Sequence, residues 1–319
     1  MSHVIAIVGP TAVGKSDLAL HLAQACGGEI VSADSRQVYR YMDIGTAKPT
    51  PEAQAAIPHH LIDVVDPDDD FTLAIYQSMA DDAIGDIHRR GQLAFLVGGS
   101  GLYVQAVTSG FRIPHVAPDA ELRLKLQGKA AREGSEALYE ELKLVDPAAA
   151  EKIDLRNVRR VIRALEVFLT TGVPFSQMQG NVPPFHTLVI GLTTSREDLY
   201  NRIDSRVDRM LEQGLVHEVK QLLERGYSID LPSMSGIGYR HIGQYLQGGT
   251  GLEAAILQMK YDTHRFARHQ YAWFRPSDKA IHWFDIREAV THDICELVMS
   301  FISEKSTAGS PQQVAKAKQ

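Results

Sequence analysis

The chain has few of the residues that would place it in a membrane, a secretory pathway or a metal–thiolate class. Only two cysteines occur among its 319 residues, Cys26 and Cys295, and their spacing is not that of a zinc site. We expect both to be core thiols of a protein from a reducing cytoplasm. No apolar run approaches the roughly 18 residues that span a bilayer, and the amino terminus shows no signal-peptide pattern, so we expect no membrane association.

The chain also lacks an excess of positive charge. It has 33 Lys and Arg against 39 Asp and Glu, a formal net charge of −6, so any nucleic-acid site must be a local basic patch. Its 44% hydrophobic and 23% charged residues are ordinary for a globular protein. The length is enough for two domains, or for one domain with an insertion.

What the sequence does contain is a complete phosphate-binding loop, G-x-x-x-x-G-K-S. Its members are Gly9, Pro10, Thr11, Ala12, Val13, Gly14, Lys15 and Ser16. An apolar strand precedes it and a helical pattern follows, the context that the motif requires. Loop N–H groups and the helix terminus would surround a diphosphate, Lys15 would add charge, and the Ser16 hydroxyl would be a ligand for Mg²⁺. The motif predicts a di- or triphosphate ligand and leaves the reaction open.

Strand and helix patterns alternate in the first third of the chain. Strands are predicted over 29–33, 61–65 and 93–97, with a helix from Thr72 to about Arg90. This order predicts an α/β fold, a P-loop NTPase-like parallel sheet with helices on both faces. Since ligands bind at the carboxyl ends of such strands, we expect the phosphate loop to meet residues 34–37 and 98–101 there.

The middle of the chain has a different pattern. It reads as helical over 121–133, 135–142 and 148–171, and an apolar strand at 187–192 resumes the α/β pattern. An all-helical domain inserted into the α/β core is the simplest account. We therefore predict a core of residues 1–112 and 186–305, a helical insertion of 113–185, and a disordered tail of 306–319.

Three basic clusters could contact nucleic acid. Arg156, Arg159, Arg160 and Arg163 have the spacing of one helix face, which favours contact with a phosphate backbone. The alternative is a solvated face paired with acids from another element.

The other two clusters lie further along the chain. We interpret Arg202, Arg206 and Arg209 as lying on different helix faces, with a salt-bridged surface as an equally good account because acids are interleaved. Residues 264–275 mix basic and aromatic side chains, as RNA contacts do. Nevertheless we expect three of them to be core residues, namely Phe266, Trp273 and Phe274.

Taken together, the motifs resemble those of the bacterial tRNA dimethylallyltransferases (isopentenylpyrophosphate transferases). The matching blocks lie at residues 9–16, 32–39, 45–49, 58–63, 98–103, 159–167, 234–240 and 270–275. The resemblance implies transfer of a dimethylallyl group from dimethylallyl diphosphate to N6 of the adenosine beside the 3′ side of the anticodon. It also implies Mg²⁺ as cofactor, the tRNA anticodon stem-loop as partner, and a core with a mobile helical insertion.

The resemblance also implies roles for individual residues. Asp34, at a strand end facing the phosphate loop, is the expected general base. Ser100 stands where the family often has threonine, and its hydroxyl is expected to hydrogen-bond the transferring diphosphate. Arg123 matches an arginine of the insertion that closes over the active site. The predicted tRNA contacts are Asp34, Ser35, Arg36, Gln37, Arg159, Arg160, Val161, Ile162, Arg163, Gly238, Tyr239, Arg240 and His241.

The chain departs from the family pattern in two places. His264, Arg268 and His269 stand where the family commonly has a more basic set, which predicts weaker or pH-dependent RNA contact. The expected hinge, residues 113–118, which precedes Arg123, is one residue longer than usual.

Other functions remain open at this point. A small-molecule kinase would use the loop for ATP, but it would want an aspartate after the strand at 93–97, where Gly98 and Gly99 stand. If the protein were a nucleotide-switched RNA-binding protein, there would be no reason for Asp34 beside the phosphate loop. A third alternative is a transferase that acts on free adenine nucleotide, but the arginines of the insertion favour a large polyanion as substrate. We expect a cytoplasmic monomer.

Overall fold

The computed structural model describes residues 3–110, 116, 118–178 and 183–303. Most of the predicted hinge and the whole predicted tail lie outside these residues. The chain divides into two compact units, Met1–Val104 with Phe185–Gln319, and Gln105–Pro184. We call them the core unit and the inserted unit. Among the described residues, no helix is long and apolar enough to cross a membrane.

The core unit is built on six parallel strands. They are β1 (His3–Val8), β2 (Gly28–Ser32), β3 (His59–His60), β4 (Leu93–Val97), β5 (His186–Thr193) and β6 (Ile281–Asp285). Their order in the sheet is β3-β2-β4-β1-β5-β6. Central strands of such a sheet are covered on both faces, and residues 4–8 of β1 are accordingly fully buried. The predicted parallel α/β fold is confirmed.

Thirteen α-helices are described. They are α1 (Lys15–Cys26), α2 (Pro51–Ala56), α3 (Leu73–Arg89), α4 (Gly101–Thr108), α5 (Ala120–Glu133), α6 (Ser135–Val145), α7 (Pro147–Ala150), α8 (Val158–Thr171), α9 (Arg196–Glu212), α10 (Leu215–Glu224), α11 (Ile237–Leu246), α12 (Leu252–Trp273) and α13 (Thr291–Ser303). Residues of α1, α9, α12 and α13 share one apolar cluster with Ile5 and Ile7 of β1. Helix α3 packs against β2 and β4 without joining that cluster. Cys26 and Cys295 are free and partly buried at its edge.

The strand predicted over 61–65 is wrong. The third strand is His59–His60, which pairs with β2, and Leu61 and Asp63 have left-handed backbones with φ of 62° and 56°. The chain turns there, and only Val65 returns to a parallel bridge, with Tyr39. The apolar pattern of this segment reflects burial in a loop, since periodicity alone cannot separate a buried strand from other buried chain.

The inserted unit is helical, as predicted, with one break. Residues 148–171 form two helices, α7 and α8, separated by seven residues in which Ile153 is buried. Asn157 ends the break because its side chain accepts from the N–H of Arg160 and so caps α8, a role typical of asparagine. Arg156 therefore lies before α8, and the prediction that it shares a helix face with the other arginines is wrong.

Candidate active site

The phosphate loop connects β1 to α1 in the predicted way. Gly9 has φ of 138°, and a Cβ there would come 2.5 Å from the carbonyl oxygen of Leu192, so only glycine fits where the loop passes β5. The Lys15 ammonium donates to the carbonyl of Pro10 at 2.7 Å. Burial, with a smaller contribution from the charge of Arg206, lowers the pKa of Lys15 to about 7 against the opposite effect of Asp34. An anion in the loop would reverse this shift.

The three polar loops meet at one edge of the sheet, which confirms that prediction. The N–H of Ala33 donates to Val97 at 2.7 Å, and the N–H of Gly98 donates to Ile7 at 3.2 Å. The Ser100 hydroxyl then accepts from the N–H of Ser35 at 3.1 Å. Ser100 therefore holds the chain on the carboxyl side of Asp34.

Asp34 lies beside the phosphate loop. One carboxylate oxygen accepts from the N–H of Arg36 at 2.8 Å, and the other has no hydrogen bond within the described part of the chain. Asp34, Lys15 and Arg206 line a cavity of about 90 Å³ whose other walls include Ala19 and Ile30. A carboxylate, two cations and an apolar wall thus face one small space.

An arginine cluster that sequence reasoning misplaced completes this site. Arg202, Arg206 and Arg209 all line the cleft of about 1580 Å³ outside the phosphate loop. The Arg202 guanidinium donates to the carbonyl of Ala12 at 3.0 Å, and Arg206 donates to the Thr11 hydroxyl at 3.3 Å. The interpretation that they lie on different helix faces is wrong. Their spacing of four and three residues was the signal for a shared face.

The acids interleaved with those arginines pair with α12 instead. Asp204 lies 2.8 Å from the His264 ring, and Asp208 lies 2.7 Å from the Lys260 ammonium. The three arginines are therefore not paired with these two acids and remain available to a ligand in the cleft. Burial lowers the pKa of Arg206, and the charge of Asp34 partly offsets this.

Two of the predicted tRNA contacts beside Asp34 have internal partners. Arg36 donates to the carbonyl of Pro232 at 2.6 Å and to the hydroxyl of Ser235 at 3.0 Å. The Gln37 amide donates to the carbonyl of Ala47 at 3.2 Å. Both side chains hold neighbouring loops of the core unit in place.

The predicted contacts at 238–241 are mostly internal as well. Tyr239 is 1% exposed, and its hydroxyl donates to Glu218 at 2.7 Å. Gly238 and His241 are buried too. Arg240 is the exposed member, and it pairs with Asp262 at 2.6 Å. Because the other three residues are buried, Arg240 is the member of this predicted set that an RNA could reach.

In the inserted unit, α8 turns an apolar side inward. Val161 and Ile162 are buried in the core of that unit, so burial narrows the predicted contact at 159–163 to its arginines. Arg159 and Arg160 are exposed, and neither forms an ion pair within the described part of the chain. Arg163 is half-buried and donates to Glu166 at 2.6 Å.

Glu166 is shared between Arg163 and Arg123, the predicted catalytic arginine. The side chain of Glu166 is fully buried and accepts from Arg123 at 2.8 and 2.9 Å. Burial alone would raise its pKa, but the hydrogen bonds from Arg123, Arg163 and the N–H of Asp119 outweigh burial and hold it below its usual value. Arg123 is thus ion-paired inside the inserted unit.

The three aromatic residues predicted to be core residues divide into two groups. Phe274 is buried, as predicted. Phe266 is 43% and Trp273 is 52% exposed, so the prediction that they are core residues is wrong. The ring of Trp273 covers Gly101, where a Cβ would lie 2.3 Å from it, and Phe266 borders the cavity of Asp34. His264 stacks on Tyr200 with ring centroids 4.0 Å apart.

Comparison with known proteins identifies the family of this chain. The family model described as IPP transferase matches residues 37–277, and the model described as isopentenyl transferase matches residues 2–59. The chain is 58% identical to the tRNA dimethylallyltransferase of Roseiflexus castenholzii over 276 residues, 86% of this chain and 90% of the relative. It is 51% identical to that of Thermomicrobium roseum over 308 residues, 96% of this chain and 93% of the relative.

Solved structures give the same result. A full-length tRNA isopentenylpyrophosphate transferase from Bacillus halodurans superposes with a TM-score of 0.73 at 42% identity, covering 97% of this chain and 99% of that one. A eukaryotic dimethylallyltransferase described as acting on tRNA gives 0.79 at 28% identity, covering 100% of this chain and 82% of that one. The chain therefore belongs to the IPP transferase family, whose curated bacterial relatives are named tRNA dimethylallyltransferases.

Proposed function

We propose that this protein transfers a dimethylallyl group from dimethylallyl diphosphate to N6 of the adenosine adjacent to the 3′ side of the anticodon in tRNA, releasing diphosphate. The observation that carries the proposal is the cavity where Asp34 faces Lys15 and Arg206 beside an apolar wall. A carboxylate opposite two cations suits a reaction that needs a base on one side and an anionic leaving group on the other.

The leaving group is assigned to the phosphate loop. As the bond between C1 of the allyl group and the diphosphate oxygen breaks, the electron pair goes to the diphosphate. Lys15, Arg206 and the N–H groups at the start of α1 are placed to neutralise that charge, and fixed donors aimed at developing charge are a major source of catalysis. The apolar wall of Ala19 and Ile30 would receive the five-carbon group.

The nucleophile is assigned to the side of Asp34. N6 of adenine forms the new bond to C1, and its proton passes to the Asp34 carboxylate, which acts as general base. Ser100 is a positioning group in this account, because its hydroxyl holds the N–H of Ser35. The target base must leave its stack, which costs least in a single-stranded loop.

Mg²⁺ fits the site as an ion whose ligands come from both the protein and the substrate. The described residues contain no group of three or more His, Cys, Asp or Glu that could hold a metal ion, whereas Ser16 is an exposed residue that lines the cleft. We propose that Ser16 and diphosphate oxygens would hold the ion. When bound, Mg²⁺ supplies additional neutralisation of the leaving group.

Binding of tRNA is assigned to exposed cations. Arg159 and Arg160 of α8 are exposed and unpaired among the described residues, and such side chains suit contact with phosphates. A role for Arg123 in closing over the active site stays a prediction, as do the cytoplasmic location and the monomeric state.

The direct test is incubation of purified protein with labelled dimethylallyl diphosphate, Mg²⁺ and unmodified tRNA, followed by nucleoside analysis. We expect label in N6-dimethylallyladenosine from the position beside the anticodon. Label in free adenine nucleotide, or no labelled nucleoside at all, would contradict the proposal.

A further inference from the structure

Gln270 is a buried amide on α12 to which sequence reasoning assigns no role. Its residue is 4% exposed, and both ends of the amide are used. The carbonyl oxygen accepts from the N–H of Thr11 at 2.8 Å, and the NH₂ group donates to the carbonyl of Gly99 at 3.0 Å. One side chain thus joins the phosphate loop to the loop that follows β4.

The second of these loops leads directly to the base. Ser100 follows Gly99, its N–H donates to Ala33 at 3.2 Å, and its hydroxyl accepts from the N–H of Ser35. Asp34 lies between Ala33 and Ser35. A series of hydrogen bonds therefore runs from the leaving-group cradle through Gln270 to both neighbours of Asp34.

Gly99 is shaped to receive this amide. A Cβ on Gly99 would lie 2.1 Å from Nε2 of Gln270, while the nearest backbone atom of another segment, the carbonyl oxygen of Gly9, would be 3.5 Å away. The glycine is thus required by the side chain of Gln270 and not by the surrounding backbone.

We propose that Gln270 is a positioning residue that sets the distance between the diphosphate cradle and Asp34. The inference rests on the proposed function, in which bond breaking at the cradle and proton removal at Asp34 belong to one transfer. Displacement of a reacting group by about 1 Å can cost about 10²-fold in rate. A residue with this role controls turnover more than the binding of either substrate.

The first test is Gln270→Glu, which keeps the size of the side chain. The carboxylate can still accept from Thr11 but cannot donate to Gly99. We expect kcat for transfer to fall by about 10- to 100-fold, with KM for dimethylallyl diphosphate and the Kd of inorganic diphosphate within about threefold of wild type. Unchanged kcat would overturn the proposal. Loss of diphosphate binding in parallel with kcat would also overturn it, because Gln270 would then only support the phosphate loop.

The second test is a double-mutant cycle with Gly99→Ala, which is informative even if one variant is less stable. Gly99→Ala should lower kcat strongly in the wild-type background, because its Cβ displaces the amide. In a Gln270→Ala background the same change should alter kcat by less than about twofold. Effects that multiply instead would mean that the two positions act separately.

Controls separate this inference from the proposed function. Gln258→Ala changes an exposed glutamine of the same helix and should match wild type in kcat, KM and thermal midpoint. If wild-type protein transfers no label to tRNA, the proposed function fails. If wild type is active and the Gln270 and Gly99 variants show none of the expected losses, only the role of Gln270 fails.

Discussion

Two arginine-bearing helices of this protein, α8 and α9, differ in what surrounds them. On α9, the acids between the arginines are taken up by His264 and Lys260 of α12, so Arg202 and Arg206 are free to bond the phosphate loop. On α8, Arg163 instead shares a buried carboxylate of its own helix. Which residues the acids pair with, more than the number of arginines, decides which arginines are available to bind a ligand.

The comparison assigns chemistry to the region of α9 and RNA binding to the exposed part of α8. Five changes would break or sharpen it, and they follow from the largest expected effect to the smallest.

Asp34→Asn should have the largest effect, because it removes the base and keeps the size of the side chain. We expect the rate of transfer to fall by roughly 10²–10⁴-fold, with tRNA affinity within about twofold of wild type. Single-turnover transfer and filter binding would measure the two quantities. Transfer at the wild-type rate would remove Asp34 from the mechanism.

Arg206→Ala should have the next largest effect and should distinguish the role of α9 from that of α8. Removing a donor aimed at the leaving group should lower kcat by roughly 10²–10³-fold and leave tRNA affinity unchanged in steady-state kinetics and filter binding. Arg196→Ala, an exposed position on the same helix, is the matched control. A fall in tRNA affinity without loss of turnover would mean that α9 binds RNA and not the leaving group.

Glu166→Ala should affect stability and show that Arg163 is held structurally. A fully buried carboxylate shared by two arginines would be lost. We expect a cost of about 3 kcal/mol, the lower end for breaking a buried pair, because both arginines can reach water. Chemical denaturation would measure it. A change below about 0.5 kcal/mol, the size typical of surface substitutions, would show that the pair contributes little.

Lys15 should make diphosphate binding depend on pH. Its pKa of about 7 in the free protein lies below its ordinary value, so above pH 7 the neutral amine of Lys15 must take up a proton when diphosphate binds. Affinity should fall by up to about tenfold per pH unit above pH 7, and calorimetry in buffers of different ionisation heat should detect the proton taken up.

Lys15→Arg is the control for this pH effect, since arginine stays protonated and the titration of the ligand itself is common to both proteins. The variant should lose the extra pH dependence. Identical pH profiles for Lys15→Arg and wild type would mean that Lys15 is charged throughout.

Arg160→Ala should have the smallest effect. We expect tRNA affinity to fall by roughly five- to tenfold near 0.1 M salt and the salt slope to become shallower by about 1. Arg156→Ala is the comparison variant, because Asp154 already pairs with that arginine at 2.7 Å. Equal effects of the two variants on the salt slope would contradict a specific phosphate contact at Arg160.

The sequence was sufficient for the parts of the protein that depend on local patterns. The phosphate loop, the parallel sheet and the meeting of three loops at one edge follow from strand, glycine and helix order. Asp34 could be singled out because it directly follows a strand. The family was identifiable from the motifs in chain order.

The remaining features depend on partners far apart in the chain. Whether Asp204 pairs with Arg206 or with His264 is decided by the packing of α9 on α12, and helix spacing cannot show it. Tyr239 was a predicted tRNA contact, yet it is buried and its hydroxyl donates to Glu218 of α10. Gln270 lies in the matching block 270–275, but its role was not visible in the sequence because its two partners, Thr11 and Gly99, are more than 170 residues away.

The contrast between α9 and α8 is tested most directly by calorimetric titration of inorganic diphosphate with Mg²⁺ into wild type, Arg206→Ala and Arg160→Ala. We predict that diphosphate affinity falls at least about tenfold for Arg206→Ala and is unchanged for Arg160→Ala. Equal affinity in wild type and Arg206→Ala, or a loss confined to Arg160→Ala, would contradict the assignment of the leaving group to α9.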